Sequence, residues 1–97
     1  GRRLTLHFTV PETKRYSVFA YATLSPYFDT VSVEIDGLAT GVSLDAYAPQ
    51  VLPSGPIELA TGVELKKGQH RIRFTVTATN PASLGHGFGI DCIELRP

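Results

Sequence analysis

The chain carries one cysteine, no methionine, no tryptophan, no excess of charge of either sign and no long apolar run. Each shortage excludes something. A single thiol, Cys92, cannot close an internal disulfide, and it gives no indication of redox compartment. Within a strand-like run it is expected as a small buried hydrophobe. Nine basic residues cancel nine acidic ones. A nucleic-acid or anionic-membrane binder carries a clustered positive surplus, because phosphate contacts supply most of its affinity. Here the basic residues come as pairs (Arg2-Arg3, Lys14-Arg15, Lys66-Lys67, Arg71 with Arg73) at expected turns or on a polar strand face. Nucleic acid is therefore not an expected partner. No stretch approaches the ~18 apolar residues of a membrane span, and no signal-peptide pattern is present, so membrane insertion is not expected either. The chain opens on Gly1 rather than Met, as a processed product or a domain of a longer protein would.

Helical periodicity is also missing. What is present is period-2 alternation, cut at short intervals by turn chemistry. Leu4, Leu6, Phe8 and Val10 alternate with Thr5, His7 and Thr9 up to Pro11. From Tyr16 to Thr23, Val18, Ala20 and Ala22 share one face and Phe19 and Tyr21 the other, which suits a central strand or a strand lining something. Val31, Val33 and Ile35 point one way up to Asp36-Gly37, a tight hairpin turn. Val42, Leu44 and Ala46 predict a fourth strand. Ala48 to Pro56, with three prolines, is expected as a long exposed connection outside any ladder. A strand over Ile57 to Leu65, a turn at Lys66 to Gln69, a long strand from His70 to Thr79 and a last strand from Ile90 to Leu95 follow. The glycine-rich loop Asn80 to Gly89 separates the last two. With 97 residues, 42% of them hydrophobic, this predicts one all-β domain, an antiparallel two-sheet β-sandwich of about seven strands.

Catalytic chemistry has little to stand on. His7, His70 and His86 are scattered, no serine lies in a nucleophile-elbow context, and no two carboxylates are singled out for acid–base work. One cysteine with three scattered histidines does not make a zinc site. The chain is read as non-enzymatic. Asp91 stands apart because it shares parity with Ile93 and Leu95, the expected core face, and an inward carboxylate must be hydrogen-bonded, paired or bound to a cation. Three readings remain open. Asp91 accepts backbone N–H groups of the preceding loop; it joins backbone carbonyls and a second carboxylate, Glu12 or Asp36, around calcium; or it touches a ligand. Exposed aromatics suit sugar binding, since the apolar face of a pyranose stacks on a ring while its hydroxyls take hydrogen bonds. Tyr27, Phe28, Tyr47, His86 and Phe88 are the candidates, all in or beside loops that a sandwich gathers at its ends. The competing reading is that Phe28 and Phe88 plug the ends of the core and the tyrosines decorate the rim.

The stretch from Gly62 to Pro97 resembles the terminal strands of galactose-binding-like sandwiches, in particular carbohydrate-binding modules of families 6 and 35. Leu65, Gly68 and His70 match a Leu-x-x-Gly-x-His turn, and Ile90, Asp91, Ile93 and Leu95 match a final Ile-Asp-x-Ile-x-Leu strand. The same segment is similar to C-terminal accessory domains of bacterial polysaccharide-active proteins. The resemblance covers about a third of the chain well, and Val31 to Gly37 more loosely. It implies a jelly-roll sandwich in which His70 and Gly68 shape a turn. It further implies a carbohydrate-binding accessory domain, extracellular or in the cell envelope, joined to neighbouring domains such as a glycoside hydrolase. The family's structural calcium site draws carboxylates from an acidic motif near the domain's start, where this chain has the basic Gly1-Arg2-Arg3-Leu4. The alternatives are a packing or oligomerisation domain, in which Phe19 and Tyr21 meet a partner, and a fragment forming one wall of a glycosidase site.

Overall fold

Alternating β-branched and aromatic residues leave each strand one apolar face, and two such faces close on each other. The computed structural model describes residues 3–78 and 88–97. It contains seven strands: β1 (Arg3–Val10), β2 (Lys14–Leu24), β3 (Thr30–Ile35), β4 (Leu38–Asp45), β5 (Leu52–Leu65), β6 (Gly68–Ala78) and β7 (Gly89–Arg96). They form two antiparallel sheets, ordered β1-β6-β3-β4 and β5-β2-β7. This is the sandwich that the alternation predicts.

The core lies between the sheets. Val31, Val33, Ile35, Ile72 and Phe74 of the larger sheet meet Val18, Ala20, Ala22 and Leu59 of the smaller, all buried. β2 is the middle strand of its sheet, as its two apolar faces suggest, with β5 and β7 at its edges.

The prolines behave differently from expectation. Leu52 to Pro56 belongs to β5, with Leu52, Pro53 and Pro56 opposite Leu24, Thr23 and Tyr21. Proline lacks the N–H a central strand must donate, but β5 is an edge strand and needs donors on one side only. β5 spends 14 residues alongside β2's 11, and three register shifts absorb the difference. At one of them Ser54 Oγ, 2.9 Å away, accepts the Ala22 N–H in place of a ladder carbonyl. Gly62, with φ +61°, sits at another and bends the strand without ending it.

A shift in β7 corrects two further expectations. Tyr21 pairs with Cys92 and Ala22 with Ile90, leaving Asp91 as the extra residue of a bulge. Parity changes across a bulge, so Ile90 and Ile93 both pack on the core while Asp91 and Cys92 are exposed. Asp91 is thus not a core-facing carboxylate, and Cys92 is not a buried hydrophobe.

One end of the sandwich is closed by tight turns. Asp36 (φ +51°) and Gly37 (φ +83°) form the two-residue hairpin loop, with Ile35 opposite Leu38. The Asp36 carboxylate accepts the Arg71 N–H at 3.0 Å and meets His70 Nδ1 at 2.6 Å. His70 Nε2 lies 2.6 Å from the Lys66 carbonyl, and Phe8 stacks on the ring at 5.6 Å. Both imidazole nitrogens face acceptors, an arrangement that favours the doubly protonated, cationic ring. The bond to Asp36 raises the His70 pKa first, then the bond to the Lys66 carbonyl, against a smaller effect of burial. For Asp36, burial pulls upward, but the hydrogen bonds from His70 and the Arg71 amide and the nearby positive charges outweigh it, leaving the pKa lowered. His70 and Gly68 (φ +126°) do shape a turn, as the resemblance implies.

Two predictions follow from this framework. The contribution of His70 is complete below the ordinary imidazole value and is lost as pH rises through the raised one. That of Asp36 is complete above the ordinary carboxyl value and is lost as pH falls through the lowered one. Urea midpoints should therefore be highest in mildly acid solution and fall as pH rises above the ordinary imidazole value of 6.5 and through the raised one, whereas His70→Gln removes that fall and costs about 1 kcal/mol in mildly acid solution, Asp36 being well solvated. Parallel curves for the two proteins would contradict the charged bridge. Phe74→Ala, emptying the most enclosed aromatic site, should cost about 3–5 kcal/mol by the same measurement.

Candidate binding surface at the loop end

The other end holds the β2–β3 connection (25–29) and the β4–β5 connection (46–51), and β7 starts there at Gly89 opposite Thr23. Buried Ser25 ties the first two together. Its N–H donates to the Ala46 carbonyl at 3.0 Å and its carbonyl accepts the Ala48 N–H at 3.2 Å, a parallel bridge to Tyr47. The same carbonyl accepts the Phe28 N–H, and Ser25 Oγ accepts the Tyr27 N–H at 3.1 Å. A further bond runs from the Ala46 N–H to the Asp29 carbonyl at 3.1 Å. These bonds set the aromatic positions of two loops against each other.

Tyr27 is 57% exposed and stands at the tip. Tyr47 is half-buried between the buried Ala46 and Ala48, and its N–H donates to Asp45 Oδ1 at 3.1 Å. Phe28 is half-buried and lies over Gly89, where an added Cβ would touch the ring at 3.5 Å. Phe88 packs against the core with its ring 6.0 Å from Phe74. Phe28 and Phe88 therefore plug the end while Tyr27 and Tyr47 remain at the rim. His86 lies outside the described residues.

Asp91 is brought to this end too. The Thr23 hydroxyl sits 3.2 Å from both of its carboxylate oxygens. Glu12 and Asp36, the expected second carboxylates of a calcium site, are at the turn end beside Tyr16 and His70, across the length of β2. That ligand set does not assemble. Among the described residues no three His, Cys, Asp or Glu side chains cluster as a metal site.

Sequence reasoning missed three contributors. Val51 and Leu52 are exposed at this end, 69% and 42%, because the proline-containing segment enters the sheet and leaves its first residues at the rim. Asp29 is fully buried beside Ser25, although its position before a strand reads as an ordinary turn residue. Nothing in alternation marks it, because its burial comes from the loop crossing.

Two other features lie elsewhere. A cleft of about 390 Å³ between the β3–β4 hairpin and β5, lined by Ile35, Leu38, Thr40 and Val63 among others, belongs to the turn end. On the outer face of the smaller sheet, Arg96 covers the Phe19 ring at 4.1 Å, pairs with Glu94 at 2.8 Å and donates to the Tyr21 hydroxyl at 3.3 Å. Tyr21 in turn donates to Glu94 at 2.9 Å. Hydrogen bonds from Arg96, then from Tyr21, lower the Glu94 pKa; the bond to Glu94 leads the causes that raise that of Arg96.

No protein-family model matches the chain, and no curated protein sequence does. Among solved structures, the fold is similar to part of a xanthan lyase from Paenibacillus, with a TM-score of 0.84 over 96% of this chain at 18% identity. The match takes in 9% of the lyase chain, so at this identity it is the β-sandwich fold that the two proteins share.

Proposed function

We propose that this domain is a non-catalytic carbohydrate-binding part of a larger glycan-active protein, with the glycan seated at the loop end on Tyr27 and Tyr47. The observation that carries the reading is the hydrogen-bonded knot at Ser25. It sets an exposed tyrosine and a second tyrosine at one end, where the exposed Val51 and Leu52 and the carboxylates Asp45 and Asp91 also lie. Rings offer stacking to a pyranose face and carboxylates accept hydrogen bonds from its hydroxyls. The fold shared with part of a xanthan lyase supports placing the domain in a polysaccharide-active protein. Anchoring to a polysaccharide would raise the local concentration of a linked catalytic domain. Calcium, if it takes part through Asp91, must draw its remaining oxygen ligands from this end and not from Glu12 or Asp36.

The exposed character of the outer sheet face favours a packing domain as the second reading. Phe19 and Tyr21 are only half-buried, but Arg96 and Glu94 already cover part of them within the chain.

Native affinity electrophoresis through polysaccharide gels, with calcium and with chelator, separates the two. Retardation by at least one glycan is expected. Tyr27→Ala should weaken it roughly tenfold, about 1.4 kcal/mol, with an unchanged thermal midpoint. A folded chain that no glycan retards would favour the packing domain, and concentration-dependent self-association would then be sought.

A further inference from the structure

The cleft of about 390 Å³ at the turn end, between the β3–β4 hairpin and β5, has no part in the carbohydrate-binding reading. Ile35, Ala39, Ala60, Val63 and Leu65 give it apolar surface. Two threonines also line it, and both direct their hydroxyls within the chain. Thr40 Oγ1 donates to the Val33 carbonyl at 3.1 Å and accepts the Val42 N–H at 3.2 Å, while Thr61 Oγ1 donates to Glu58 at 2.8 Å. The Asp36 carboxylate is likewise held by His70 and the Arg71 N–H. A sugar or a peptide backbone would find few open polar partners on these walls, whereas an apolar side chain asks for none.

Leu38 stands at the lip of the same cleft and is 75% exposed, more than any other large apolar residue among those described. It pairs with Ile35 directly after the Asp36-Gly37 turn, which His70 and the Arg71 N–H brace, so its side chain projects from a fixed base. A knob and a hole on one surface make that surface self-complementary, as a two-fold interface requires. We propose that two copies of this chain associate through their turn ends, Leu38 of each entering the cleft of the other. The charges around the cleft permit this because they are of both signs. Asp36 lies against His70 and Arg71, and Glu64 stands opposite Arg15 in the ladder. A rim of one sign would repel its own copy. Tyr27, Val51 and Leu52, the other exposed large apolar residues, are at the loop end, and entering the cleft from there would give a head-to-tail contact that does not close. One side chain per copy is a small anchor, so the pair forms and separates readily.

Sedimentation equilibrium of the whole chain, from about 10 μM to about 1 mM, covers the range in which weak pairs assemble. The mass should rise toward that of a dimer and stop there. Leu38→Thr removes the knob but keeps a strand-forming residue, and Thr61→Tyr keeps the knob but fills the cleft. Each should weaken the dimer at least about tenfold. Both positions are exposed, so the thermal midpoint should stay unchanged. The proposal is overturned by a chain that stays monomeric throughout, by a dimer that either variant leaves intact, or by growth past the dimer that Leu52→Thr stops.

Discussion

A three-stranded sheet has one strand hydrogen-bonded on both sides, and in this protein that strand, β2, also supplies Val18, Ala20 and Ala22 to the packed core. The smaller sheet is shaped around it. β7 must present Ile90, Ile93 and Leu95 inward, and it does so through a bulge that throws Asp91 outward. β5 must follow the same strand with three residues to spare, and it takes them up in register shifts. Its prolines are tolerated because, among the described residues, β5 pairs on one side only.

The division between the two ends follows from chain connectivity. At one end the β1–β2, β3–β4 and β5–β6 connections are short turns, and the Asp36–His70–Lys66 bridge links two of them. At the other, the connections are long enough to carry side chains with no role in a turn. Ser25 converts two of those loops into one surface, since its backbone serves as a one-residue strand for Ala46 to Ala48. Binding groups are commonly carried on loops held by a rigid scaffold, and this end meets that condition where the turn end is occupied by its own charge pairs.

The outer face of the smaller sheet shows how an apolar strand face can be finished within one chain. Arg96 lays its guanidinium over Phe19 while bonding Glu94 and Tyr21, so the rings are capped by charge. These contacts span β2 and β7 and lie outside the core.

Much of the fold was legible in residue order. Alternation gave the strand faces of β1, β2, β3 and β6, Asp36-Gly37 marked its hairpin, and the paucity of cysteine, helical pattern and excess charge narrowed the class, because these are local consequences of backbone geometry. Residue order also supplied the aromatic candidates, of which Tyr27 and Tyr47 remain at the surface. What it did not disclose depends on neighbours distant in the chain. Proline looks incompatible with a strand until that strand is known to be an edge, and parity places Asp91 inward until β2 imposes a bulge. The burial of Asp29 and the exposure of Val51 and Leu52 were decided by tertiary structure. Strand pairing and loop crossing bring together residues whose separation along the chain carries no period to read.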